Sequence, residues 1–237
     1  FDVVPRHPVD RLAFTGATGL PAATLEREVR QQFGGLPRDA QADAAARAVV
    51  RVLNDAGFRA ATARAALDVT HAPDRATLVL TVDAGPQAIV RSARVDGASP
   101  LAPADVLKRA GAIVGEPYRP RTVDAGLDAV LDALRQRGYY EATVGHAHDA
   151  VSADGRSVDV VVTVEAGPLV SLVLAGDPVS GNVNDLVPIK REGSVDDDLL
   201  EDSVRRIEAA LRKDGYWRAR ATYARAETPG GRAITIT

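Results

Sequence analysis

Residue types that catalyse or ligate are sparse in this chain, and they do not converge. His146 and His148 stand two apart with Asp149 beside them, a spacing that puts both imidazoles on one face of a strand. Zinc takes a third or fourth ligand, and His71, the other histidine outside the N-terminal tail, lies far off in sequence. The pair therefore reads as a solvated strand end. The acidic run Asp196-Asp197-Asp198, with Glu201 and Asp202, suggests a cation site until it is placed at the start of a helix. There it complements the N-terminal dipole. Tyr139, Tyr140, Tyr216, Trp217 and Tyr223 resemble a binding stripe but are expected to cover a helix–sheet seam in a chain poor in other large side chains, with one or two of them exposed at a groove as the alternative. No nucleophile elbow, phosphate loop, H-E-x-x-H, EF-hand loop or G-x-G-x-x-G is present. Cys is absent, which removes thiol nucleophiles, disulfides and thiolate metal sites together. The expectation is a protein that is not an enzyme, holds no metal and needs no cofactor.

Composition narrows the partners. Lys and Arg number 29 against 32 Asp and Glu, both signs interspersed, so the clustered cations of a nucleic-acid binder are missing and no nucleic-acid partner is expected. No window is apolar for long enough to cross a bilayer as a helix. The chain opens at Phe1 without a basic-then-apolar leader, so its address has to come from other features. With 46% apolar residues but only 4% aromatics, several thin cores fit better than one large one.

The elements that must position these residues recur. Strand-ending glycines Gly16, Gly97 and Gly176 are 81 and 79 apart; the pairs Gly57-Phe58, Gly138-Tyr139 and Gly215-Tyr216 are 81 and 77 apart. Ala84-Gly85-Pro86 returns as Ala166-Gly167-Pro168. Such periodicity marks a tandem array. We read three modules, residues 1–86, 87–167 and 168–237, each ordered β-α-α-β-β.

In each module the first strand keeps one apolar frame: Val9, Leu12, Phe14; Val90, Ala93, Val95; Leu169, Leu172, Leu174. A first helix starts through Pro21 or Pro103 in its first turn. In the third module it is expected to shrink to residues 182–186, before Pro188. Helical spacing is clearest in Val123, Leu127, Val130, Leu131, Leu134 and in Leu200, Val204, Ile207, Leu211. Second helices should end at the Gly of the Gly-aromatic pair. Second strands, near residues 59–69, 142–150 and 218–225, are polar and suit a sheet edge, the first of them being Ala-rich and weakly β-prone. Third strands alternate strongly and belong at the centre: Leu78, Leu80, Val82; Val158, Val160, Val162, Val164; Ile234, Ile236. The expected fold class is α+β, each module a three-stranded mixed sheet in the order first, third, second, with both helices on one face. The third module is expected to be cut within its last strand. Gly85-Pro86 and Gly167-Pro168 leave almost no linker, which predicts restricted hinges.

The run from Gly115-Glu116-Pro117-Tyr118 through Gly138-Tyr139-Tyr140, with residues 158–168, resembles the POTRA (polypeptide-transport-associated) repeat. Leu186-Val187-Pro188, Glu192-Gly193 and Gly215-Tyr216-Trp217 resemble the barrel-proximal repeat of TamA-type proteins, and three repeats match the TamA-type count. The resemblance spans residues 8–237. It implies the periplasmic arm of a BamA- or TamA-type outer-membrane protein assembly or translocation factor of a Gram-negative-type bacterium. Implied partners are unfolded outer-membrane proteins or other polypeptides, accessory periplasmic or lipoprotein subunits, and a C-terminal membrane β-barrel of the same protein. A POTRA-type module of a secretion or cell-division protein is the alternative. The resemblance also implies binding by β-augmentation, in which a client adds as a further strand to an exposed edge. The backbone contributors expected on the second strands are Thr62, Thr143, Val144, His146, Arg220 and Thr222.

Overall fold

The computed structural model describes residues 8–71, 74–146 and 150–237. Three sheets form, each flanked in sequence by the same elements. In the first, strand β1 (Val9–Ala17) is followed by α1 (Ala22–Phe33), α2 (Ala42–Asp55), β2 (Thr62–His71) and β3 (Asp74–Asp83). The order is β1-β3-β2, with β1 parallel and β2 antiparallel to β3. The second set is β4 (Ile89–Ala98), α3 (Pro103–Arg109), α4 (Pro120–Gln136), β5 (Thr143–His146), the two-residue β6 (Ala150–Val151) and β7 (Ser157–Glu165), ordered β4-β7-β5 with β6 also on β7. The third is β8 (Leu169–Leu174), α5 (Val183–Leu186), α6 (Ile189–Glu192), α7 (Asp197–Lys213), β9 (Tyr223–Thr228) and β10 (Gly231–Ile236), ordered β8-β10-β9. The expected sheet order therefore holds in every copy. Two compact units divide the chain: residues 1–93, 111–124 and 148–160, and residues 94–110, 125–147 and 161–237.

Alternation on the central strands explains the cores. Leu78, Leu80 and Val82 on β3, Val158, Val160, Val162 and Val164 on β7, and Ile234 and Ile236 on β10 are all buried. In the first module they meet Leu25 and Val29 of α1 and Val49 and Leu53 of α2. In the third they meet Leu200, Ile207 and Leu211 of α7. Cores this thin tolerate little: Leu25→Ala, at a fully buried site, is expected to lower the stability of its module by about 3 kcal/mol, read by urea denaturation.

Each second helix closes alike. Gly57, Gly138 and Gly215 have φ of 94°, 92° and 100°. The aromatic after each glycine donates its N–H to the carbonyl five residues back: Phe58 to Leu53 at 2.9 Å, Tyr139 to Leu134 at 3.1 Å, Tyr216 to Leu211 at 3.0 Å. The glycine itself donates to the carbonyl three back, completing a Schellman motif in every copy.

Some local expectations need correcting. Pro21 is the N-cap of α1 rather than a first-turn residue, while Pro103 does open α3. The third module's first helix is two single turns: Val183–Leu186, capped by the Asn182 side chain, and Ile189–Glu192, which starts after Pro188 and ends at Gly193 with φ 65°. Proline stopped one turn and began the next. In β8 the buried residue is Val170, and Leu169 is exposed, so the apolar frame there starts one residue later. The Ala-rich β2 pairs with β3 from Thr62 to His71 without a break, because a strongly alternating neighbour overrides weak intrinsic propensity.

One exposed ion pair reports on the second sheet. Arg91 on β4 makes paired hydrogen bonds to the Asp159 carboxylate on β7, and the Ser92 hydroxyl donates to it at 2.7 Å. Arg91 first, then Ser92, hold the Asp159 carboxyl at about 2, below its ordinary 3.8. A depressed folded-state pKa stabilises above the unfolded value and stops doing so as pH falls through the folded one. Asp159→Asn should therefore lower stability at neutral pH, where the ionised carboxylate acts, and flatten the further loss between about pH 4 and pH 2, read as the slope of melting temperature against pH.

Candidate polypeptide-binding edges

Among the described residues β2, β5 and β9 end their sheets, each with one row of backbone groups that no strand pairs. On the opposite edge of the second sheet, residues 115–118 lie along the start of β4: Gly115 N–H donates to Val90 O, Val90 N–H to Glu116 O and Tyr118 N–H to Ala88 O, at 2.8–2.9 Å. The Gly115-Glu116-Pro117-Tyr118 motif thus covers part of that edge.

Thr62, Thr143 and Val144 lie on edge strands, opposite Asp83, Glu165 and Val164, and His146 opposite Val162. Arg220 and Thr222 precede β9, which starts at Tyr223 and runs to Thr228, later than expected. Thr222 gives its N–H to the Thr237 carbonyl and takes the Thr237 N–H on its own, both at 2.9 Å, so its main chain faces inward. Hydrogen-bonded and open pairs alternate along an antiparallel ladder. With Thr222 and Thr237 bonded, the register Tyr223↔Ile236, Arg225↔Ile234 and Glu227↔Arg232 turns the main chains of Tyr223, Arg225 and Glu227 outward.

Side chains lash this strand to α7. The Tyr223 hydroxyl donates to Asp197 Oδ1 at 2.7 Å, and the Arg225 guanidinium donates to the Val195 carbonyl. Glu208 accepts the Ala221 N–H at 3.1 Å, and that bond is the main reason its carboxyl sits below the usual range. The acidic run has a structural job: Asp196 is the N-cap of α7, accepting the Leu199 N–H at 2.8 Å, with Asp197 and Asp198 in the first turn.

The aromatic set divides. Tyr139, Tyr140 and Tyr223 are half-buried, but Tyr216 is 54% and Trp217 81% exposed. Both line a groove of about 1100 Å³ in the third module, with Leu174, Val179, Leu211 and Ile236 among its walls. Two of the five aromatics thus stand at a groove rather than a seam.

His148 and Asp149 of the metal candidate lie outside the described residues. Among the described residues no group of three or more His, Cys, Asp or Glu is placed to hold a metal. No helix of the described residues is long and apolar enough to cross a membrane.

Residues 88–167 match the family model described as POTRA, surface antigen variable number repeat. No curated protein sequence matches the chain. Similar solved structures include POTRA3-5 of Haemophilus influenzae BamA, at 17% identity and TM-score 0.44, covering 100% of both chains. POTRA1-3 of the periplasmic domain of Omp85 from Anabaena gives 16% identity and TM-score 0.41 over 98% of this chain and 95% of that one. CdiB from Escherichia coli gives 21% and 0.35 over 70% of this chain and 28% of that one. Residues 88–167 match the POTRA repeat, and the sheets before and after them have the same strand order, an α+β architecture repeated in tandem.

Proposed function

We propose that the chain is a periplasmic scaffold and client-binding arm of an outer-membrane β-barrel protein assembly or translocation factor, built of repeats at 1–86, 87–167 and 168–237. It acts by contact, without catalysis. Unfolded outer-membrane polypeptides add as extra strands to its sheet edges, and accessory subunits dock on the same modules. The observation that carries this reading is the outward main chain of Tyr223, Arg225 and Glu227 on an unpaired edge. Arg64 and Gly145, opposite Thr81 and Thr163, hold the position of Thr222, so the same alternation turns Val144 outward on β5. The POTRA match at residues 88–167 supports the cellular setting.

Main-chain pairing asks little of client sequence and much of client backbone. A labelled ten-residue peptide of alternating apolar and polar residues should bind saturably, and shuffling residues within each face should change its affinity less than about threefold. Placing proline at alternate positions, which removes donors on one edge, should abolish binding. Equal binding of the proline peptide would show that side chains, not backbone, make the contact.

A further inference from the structure

Three residues before the glycine that ends its second helix, the middle module carries Arg135, where the first module carries Asn54. The Arg135 guanidinium lies against the turn that closes α6. A Cβ on Gly193 would stand 2.3 Å from Arg135 Nη2 and 3.0 Å from its Cζ. The cation therefore fits because that position is glycine, whose φ of 65° also ends the helix. Arg135 and α6 belong to one compact unit, so this contact is internal to it. Arg135 is half-buried, and its Nε–H is closed off from solvent with no hydrogen-bond partner among the described residues. A charged donor buried in that way is costly unless an acceptor reaches it.

The same side chain lines a cavity of about 400 Å³, together with Lys190, Arg191, Asn184 and Asp132. Three cations and one carboxylate make a formal charge of +2 there. Neither Arg135 nor Lys190 forms an ion pair with another described residue, and Asp132, one turn before Arg135 on α4, does not pair with it. Arg191 holds its neighbour Glu192 at 2.9 Å, both side chains being exposed, a contact that an incoming anion displaces at little cost.

Charge and shape choose between anions. A carboxylate is a monoanion that one guanidinium satisfies, whereas a phosphate monoester brings nearly two negative charges and three strong acceptor oxygens at neutral pH. Guanidinium forks and a lysine point charge are the side chains that bind phosphate oxygens. The cavity also leaves room for a small organic group on the ester.

We infer that the pocket of Arg135, Lys190 and Arg191 binds a phosphate monoester, with Arg135 Nε–H as its buried donor. A soluble phosphate ester and a phosphomonoester lipid headgroup offer this same chemistry. The inference stands apart from strand addition at the sheet edges.

The test titrates the full chain with glycerol 3-phosphate by calorimetry and, separately, sediments it with phosphatidylcholine vesicles prepared with and without phosphatidate. Saturable binding is expected. Losing one charge-assisted hydrogen bond weakens binding about tenfold or more, so Arg135→Asn, the residue the first module carries there, and Lys190→Gln should each show that loss. Lys190 is exposed, so its replacement leaves the fold in place. Lys108→Gln removes the same charge from Lys108-Arg109-Ala110-Gly111, which parallels Lys190-Arg191-Glu192-Gly193, and should change nothing. Binding of glycerol 3-phosphate without vesicle recruitment supports the inference with a soluble ester as ligand. Recruitment to phosphatidate vesicles that Arg135→Asn abolishes supports it with the lipid headgroup as ligand. Saturable binding of neither, acetate held as tightly as glycerol 3-phosphate, or a loss in Lys108→Gln equal to that in Lys190→Gln overturns it.

Discussion

Gly97→Ala is expected to destabilise the second sheet by about 3 kcal/mol or more, against about 1 kcal/mol for Gly115→Ala. The two glycines belong to one module and have similar torsions, φ 96° and 89°. They differ in surroundings. A Cβ on Gly97 would lie 2.2 Å from the Val164 carbonyl oxygen, on the central strand, whereas one on Gly115 has no atom within 4 Å. Alanine at Gly115 therefore meets only the left-handed backbone penalty. At Gly97 it also has to displace a strand of the ladder. Gly16 repeats the tight case, 2.3 Å from the Val82 carbonyl oxygen. Urea denaturation followed by circular dichroism separates the effects; equal losses at Gly97 and Gly115 would mean that the strand contact contributes nothing.

Proline placed along the third module's edge is expected to split stability from binding. Thr222→Pro removes the N–H that bonds the Thr237 carbonyl and should lower stability by about 3 kcal/mol. Glu227→Pro removes an outward N–H instead, a place where edge strands tolerate proline. It also removes the 2.9 Å contact of Glu227 with Arg232, an exposed pair worth under about 1 kcal/mol. Its melting temperature should fall little, while affinity for an extended peptide drops about tenfold or more. Thermal melts and peptide titrations of the two variants check this; loss of binding in neither would remove β9 as the contact.

The sheet order was legible because its causes are local and repeated. Central strands announce themselves by period-two valines and leucines, and the second helices by Leu and Val at steps of three and four ending in glycine. The Ala-rich stretch divides: Ala60 and Ala61 stay outside β2, while Ala63, Ala65 and Ala66, with as little β preference of their own, are held in it by pairing with β3. α6 escapes a period-based reading because Pro188 reads as a stop and its four residues are too short for any period to show.

The edge residues were harder to place than the edges. Polar composition marks a second strand, but which of its main-chain groups face outward is fixed by hydrogen-bond phase, and phase depends on Thr237 lying opposite Thr222. That is a non-local fact, so the expectation fell on Thr222 while Tyr223, Arg225 and Glu227 present the open groups. Trp217 is harder still to place, because residue type alone does not tell a seam aromatic from an exposed one: Phe58 packs on the core of its own module, while Trp217 is 81% exposed.

Amide hydrogen exchange across β9, with and without an unfolded outer-membrane barrel polypeptide, tests strand addition most directly. In the chain alone the amides of Tyr223, Arg225 and Glu227 should exchange fast and those of Ala224 and Ala226, bonded to β10, slowly. Added polypeptide should slow the first set and leave the second as it was. If the polypeptide binds while Tyr223, Arg225 and Glu227 keep exchanging freely, and the same holds for Val144 on β5, clients are not held by adding to these edges.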